Sequence, residues 1–148
     1  MWLYKEKEIS SLEDFGDEVP FGFVYVVTHV PTGKKYIGKK SLFSTQNKKL
    51  GKKELAEQPV TRGRKATKKK VTKESDWKTY HGSNEEIIKL IKEDKQSEFK
   101  REILHLCYNK KLLTYYETKF QFIYEVLEKP SEYLNSNILG SFFNTDFI

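Results

Sequence analysis

The sequence predicts an α+β fold: a small three-stranded antiparallel sheet flanked by helices, with a Lys-rich insertion. Three observations lead there. Two β-rich runs, GFVYVVTHV and KKYIGKK, flank the turn tetrad Pro31-Thr32-Gly33-Lys34. Downstream, the apolar pattern changes to helix, strand and helix. Between them, residues 48–73 gather eleven of the chain's 27 Lys and Arg.

Residues 1–20 read as an N-terminal extension, with a short helix after the cap candidates Ser10 and Ser11 that ends before Pro20. Residues 21–148 read as one domain. Its first two strands form a hairpin, because β-branched and aromatic runs separated by Pro and Gly pair antiparallel. The hairpin puts Tyr25 of FVY and Tyr36 of YIG, with ten residues between them, on neighbouring strands. Gly51, Pro59 and Gly63 then discourage continuous structure, which makes 48–73 an insertion ahead of the first core helix. That helix is expected to start at Ser83, where Ser83 and Glu86 form a capping-box pattern. Its apolar face is Ile87, Ile88, Leu90 and Ile91, and the polar stretch Asp94–Ser97 ends it. FKREILHLC, residues 99–107, reads as the third strand, with Ile103, Leu104 and Leu106 mostly buried. A longer helix follows from about Leu112 to Leu127, with Leu113, Tyr116, Phe120, Ile123 and Tyr124 near the 3.6-residue period.

Composition narrows the class. At 148 residues, 37% hydrophobic and 32% charged, the chain fits one soluble domain with a modest core. No apolar stretch approaches the roughly 20 residues a bilayer span requires. The start, MWLYKEKEISSLEDF, is too acidic and broken for a signal peptide, so intracellular residence is expected. Cys107 is the single cysteine, which excludes an internal disulfide and reads as a core residue. His29, His81 and His105 share no metal-ligand spacing with Cys107, so a zinc site is not expected.

Charge is uneven. Against the eleven basic residues of 48–73 stand only Glu54 and Glu57, a local net of +9, which leaves 16 basic and 19 acidic residues elsewhere. Such a block repels itself and is most stable beside a polyanion. Arg62, Arg64, Lys65, Lys68, Lys69, Lys70 and Lys73 are therefore the expected nucleic-acid contacts, in a segment that orders on DNA. The plain alternative is a solvated loop with no partner.

Four features together resemble GIY-YIG nucleases over roughly residues 22–137. They are the FVY and YIG pair, the stretch WKTYHGSNEEIIKLIKE, the strand FKREIL, and Glu117 in LTYYETKF. The Lys-rich insertion and DWKTYHGS further resemble free-standing phage endonucleases of the Seg type. The resemblance implies an endonuclease that hydrolyses phosphodiester bonds of double-stranded DNA with one divalent metal, homing in role and acting in the cytoplasm of a bacterial host if phage-encoded.

The resemblance also implies roles for residues. Glu117 is the expected metal ligand; an oxygen-only site suits Mg²⁺, or Mn²⁺, completed by water and phosphate oxygens. Its bland alternative is a surface Glu pairing with Lys110 or Gln121. Tyr25 is the expected general base or water-positioning group and Tyr36 its hydrogen-bonding partner. A phenol with a pKa near 10 requires nearby cations to act as a base at neutral pH. Without the joint spacing with Ile37 and Gly38, both would read as packed strand tyrosines.

The chain departs from the family in two places. Phe23 stands where the signature has its first glycine, with Gly22 just before it. The arginine that many members carry about ten residues after YIG is missing, so Lys40 is the expected phosphate-stabilising cation, with Arg64, Lys78, His81 and Arg101 as substitutes. Asn135 in EYLNSN resembles the family's orienting asparagine, with Asn137 as competitor and a turn role as alternative. A single active site cuts one strand, so double-strand cleavage would require a homodimer on DNA, sequential nicking or reorientation. A non-catalytic DNA- or RNA-binding protein on a decayed nuclease fold is the other expectation.

Overall fold

The computed structural model describes residues 1–56, 63, 68–93 and 98–147; Arg62, Arg64, Lys65, Pro59 and the break expected at 94–97 lie outside them. Two units are present, one of Met1–Leu42 with Asp76–Ile148 and one of Phe43–Ser75. In chain order the first contributes β1 (Trp2–Tyr4), β2 (Lys7–Ile9), a 3₁₀ turn at Leu12–Phe15, β3 (Gly22–His29) and β4 (Lys35–Ser41). The second holds β5 (Phe43–Lys49), α1 (Lys52–Ala56) and β6 (Lys68–Glu74). The first resumes with α2 (Glu85–Glu93), β7 (Phe99–Cys107), α3 (Lys110–Ile123), β8 (Asn137–Ile138), β9 (Phe142–Phe143) and a closing 3₁₀ turn, Asn144–Phe147.

The main sheet corrects the expectation of three antiparallel strands: it is five-stranded and mixed, in the order β2-β1-β7-β3-β4. β3 is antiparallel to β4 and β7, as the hairpin and third-strand patterns require, whereas β1 runs parallel to β7 with Leu3 opposite Glu102. The two added strands come from residues 2–9, read from sequence as part of an extension. Each is only three residues long, and their turn uses Lys5 and Glu6 at positive φ (48° and 68°) rather than the Asn-Gly or Asp-Gly that marks such turns. Trp2 ties them down: its side chain is buried and its Nε1 donates to the Trp77 carbonyl at 2.8 Å.

β3 is apolar on consecutive positions because both of its faces are covered. On one side Val24 packs with Ile37, Cys107, Leu113, Val126, Leu127, Tyr133 and Ile138 beneath α3. On the other, Phe23 and Tyr25 meet Trp2 edge-on, with ring centroids 4.9 and 5.3 Å apart, and Phe23 meets Trp77 at 6.4 Å. Leu104 and Leu106 are half-buried rather than core, since a register shift in the β3–β7 pairing between Val24 and Tyr25 skips Leu104.

The helix ends differ from the sequence reading. The first core helix is capped by Asn84, not Ser83: its Oδ1 accepts from the Glu86 and Ile87 amides at 2.9 and 3.3 Å. Asn109 caps α3 in the same way through Leu112, at 2.8 Å. α3 stops at Ile123, short of Leu127, because Glu125 turns into the left-handed region (φ 53°); Val126 and Leu127 are still buried, but beyond the helix. In the second unit, β5 and β6 pair antiparallel over seven residues, so both flanks of the basic segment are ordered strand.

Candidate active site

β4 is an edge strand, and its outward-facing backbone groups at Lys35 and Ile37 are taken up. The Lys35 amide donates to the Glu132 carbonyl, and the Leu134 amide to the Lys35 carbonyl, at 2.8 and 2.7 Å. The Ile37 amide donates to Asn135 Oδ1 at 3.1 Å, while the Ile37 carbonyl accepts from Asn135 Nδ2 and Gln121 Nε2 at 2.9 and 3.1 Å. The Lys39 amide donates to the Glu117 carboxylate. Side chains from α3 and from the chain beyond it thus replace a missing neighbour strand. They also fix the positions of Asn135, Gln121 and Glu117 relative to YIG.

This arrangement leaves a polar cleft of about 770 Å³ along the β4 edge, lined among others by Tyr36, Lys39, Ser83, Thr114, Glu117 and Asn135. Of the five catalytic candidates, Tyr36, Glu117 and Asn135 border it. Tyr25 lies behind, buried, with its ring 6.3 Å from that of Tyr36 and 6.0 Å from that of Tyr80. Gly38 is the reason the two phenols can converge: a Cβ there would lie 2.6 Å from Tyr25 Oη and 2.9 Å from Tyr36 Cε1.

Strand alternation separates the two lysines after YIG. Lys40 shares the face of Tyr36 and Gly38; its Nζ lies 2.6 Å from Asp76 Oδ1 and 4.1 Å from the Tyr80 ring centroid. Lys39 shares the face of Ile37, turned toward α3, and its Nζ donates to Thr114 Oγ1 at 2.9 Å. The ammonium bordering the cleft with Glu117 is therefore that of Lys39, which the sequence reading passed over. Counting the two-residue strand period from Ile37, a core residue, would have found it.

Burial pushes the Tyr25 phenol far above its ordinary range, and the neighbouring Tyr80, Tyr36 and Glu117 push the same way. No described cation offsets these effects, so Tyr25 is a neutral phenol. Tyr36 is likewise raised, first by burial, although a hydrogen bond with Ser83 opposes the rise. Glu117 is raised by burial despite the Lys39 ammonium and amide. A half-buried carboxylate that one lysine does not fully compensate would gain from a further cation.

Asn137 apart, the other described candidates are not among the residues lining the cleft. Arg101 is buried, its guanidinium donating to the Lys78 and Tyr80 carbonyls at 2.9 Å each and lying 4.7 Å from the Trp2 ring centroid. It holds the segment before α2 rather than facing the cleft. His81 bonds the Thr79 carbonyl at 2.8 Å, and Lys78 is not among the cleft-lining residues. Asn137 borders the cleft but spends its Oδ1 on the Gly140 amide at 3.0 Å, leaving Asn135 as the asparagine that grips β4. Lys68, Lys69, Lys70 and Lys73 lie on β6 of the second unit. Cys107 is buried, and its thiol is pushed up to about 11 by that burial.

Among the described residues no group of three or more His, Cys, Asp or Glu could hold a metal alone. Glu117, with Glu85 and Glu86 on the same cleft, supplies only oxygen donors. That donor set fits a hard divalent cation that keeps most of its water.

One phenol, that of Tyr36, the Lys39 ammonium and the under-compensated Glu117 carboxylate thus border one open polar cleft. The chain belongs to the GIY-YIG nuclease family: residues 2–138 match the family model described as "Putative endonuclease segE, GIY-YIG domain". No curated protein and no solved structure matched the chain. Among the described residues no helix is long and apolar enough to cross a membrane.

Proposed function

We propose that this protein is an endonuclease that hydrolyses phosphodiester bonds of double-stranded DNA with a single divalent cation, Mg²⁺ or Mn²⁺, held by Glu117. The observation that carries the proposal is the position of Glu117: half-buried, anchored by the Lys39 amide, bordering the cleft with Tyr36, and close enough to raise both hairpin phenols. When bound, the cation supplies positive charge to the phosphoryl and leaving oxygens. The Tyr36 phenol positions the attacking water. Tyr25, neutral and buried, fixes Tyr36 from behind and in this reading neither acts as base nor positions the water itself, the two roles expected of it. The Lys39 ammonium offers a charge-assisted hydrogen bond to a non-bridging phosphoryl oxygen. Asn135 holds the backbone between Tyr36 and Gly38, and Lys40 steadies Tyr80 against Tyr25. The Seg-type match supports a homing role in a phage-infected bacterial cell.

A second reading, a nucleic-acid-binding protein without catalysis, is favoured by one observation: no arginine lines the cleft among the described residues. Supercoiled plasmid separates the two. The nuclease reading requires nicking that depends on a divalent cation and is lost in Glu117→Gln. Binding with no cleavage across several cations leaves the second reading.

A further inference from the structure

The β5–β6 ribbon places like charges opposite each other. Lys48 faces Lys69 and Lys49 faces Lys68 across the ladder, with Asn47 opposite Lys70 and Ser44 opposite Lys73. Directly opposed lysines destabilise a two-stranded pair, and two strands alone are marginal in water. Seven residues of each strand nevertheless pair in register. From Ser44 to Lys49 and from Lys68 to Lys73 there is no acidic residue. A polyanion is the partner that turns this repulsion into binding.

We propose that the ribbon enters the major groove of double-stranded DNA and reads base edges with Thr45, Asn47, Lys70 and Thr72, a proposal that rests on DNA being the substrate. A two-stranded ribbon fits a groove about 12 Å wide. Seven strand residues span about 20 Å, enough to follow several base pairs. Alternation puts Thr45, Asn47, Lys49, Lys68, Lys70 and Thr72 on one face, all exposed. The opposite face carries the half-buried Val71. The first face holds the side chains suited to base edges: Asn pairs with adenine, Lys with guanine, and a Thr methyl with the thymine methyl. Lys48 and Lys73 on the other face contribute charge without base contacts.

The test uses the full-length protein without divalent cation, so that binding is measured apart from cleavage. Duplexes selected from a randomised library are compared with scrambled ones. Bound DNA is probed with dimethyl sulfate, which methylates guanine N7 in the major groove and adenine N3 in the minor groove. The expected result is guanine N7 protection and a preference for selected over scrambled duplex that falls about tenfold in Asn47→Ala and in Lys70→Ala. Lys48→Gln, exposed on the opposite face, should weaken both duplexes equally and lower the salt slope by about 0.9. Protection of adenine N3 alone, preference for single strands, or unchanged selectivity in both variants would overturn the ribbon while leaving plasmid nicking, and with it the nuclease reading, intact. Absence of duplex binding would overturn both.

Discussion

Gly38→Ala is expected to damage the protein through two side chains at once. The added Cβ would sit 2.6 Å from Tyr25 Oη, 2.9 Å from Tyr25 Cζ and 2.9 Å from Tyr36 Cε1, distances no Cβ keeps without displacing something. Tyr25 cannot withdraw, because it is 1% exposed and wedged against Trp2, Phe23 and Tyr80. The backbone cannot yield outward either, since Asn135 clamps Ile37 on both its amide and its carbonyl. Overpacking of this kind costs about 1–3 kcal/mol. Taking about 2 kcal/mol, thermal unfolding should shift down by about 4–8 °C for a chain of this size. Gly51→Ala, where a Cβ meets nothing within 4 Å, is the matched control and should stay within about 0.5 kcal/mol. Cleavage by Gly38→Ala should fall with stability, because the displaced rings are those that position the water. A variant as stable and as active as the parent would refute the close-approach account of the YIG glycine.

Three further outcomes follow from the site. Burial raises Glu117, so ionising it costs folding stability. Glu117→Gln without metal should therefore unfold at higher temperature than the parent near neutral pH, with the gap closing as pH falls through the raised folded value and gone below the ordinary carboxylate value of 4.5; a gap that widens in acid would contradict the sign. Asn135→Ala leaves the Ile37 amide without its partner and should cost about 1–3 kcal/mol, read by urea denaturation, with faster hydrogen exchange at Ile37. Lys39→Ala should slow single-turnover cleavage by on the order of 10²-fold, and Lys40→Ala by less, since Lys40 is engaged by Asp76; the reverse order would return the phosphate role to Lys40.

How much of this was readable in the sequence depended on whether the signal was local. β3, β4 and β7 carry dense β-branched and aromatic runs, and α3 a helical period, so their existence and order were visible. β1 and β2 were not: Leu3 pairs with Glu102 across the whole chain, and a Trp in a polar stretch shows nothing of the Trp77 carbonyl it binds. The β5–β6 ribbon was hidden by its own lysines, which read as an insertion without continuous structure that orders on DNA, whereas the register pairs them as strands. At the site, Tyr36, Glu117 and Asn135 were reachable through motifs. The grip of Asn135 and Gln121 on Ile37, by contrast, depends on chain returning to an edge strand from 98 and 84 residues away. The need for cations around Tyr25 followed from its phenol chemistry; that the ring is instead enclosed by other aromatics required the packing.

The most direct test of the Glu117 site is single-turnover cleavage of duplex DNA with a divalent cation, comparing parent and Glu117→Ala, alongside DNA affinity measured without cation. The account predicts a rate loss on the order of 10³-fold or more, with affinity changed by less than about threefold. Equal cleavage rates in the two proteins would contradict it and place the chemistry outside the β4 cleft.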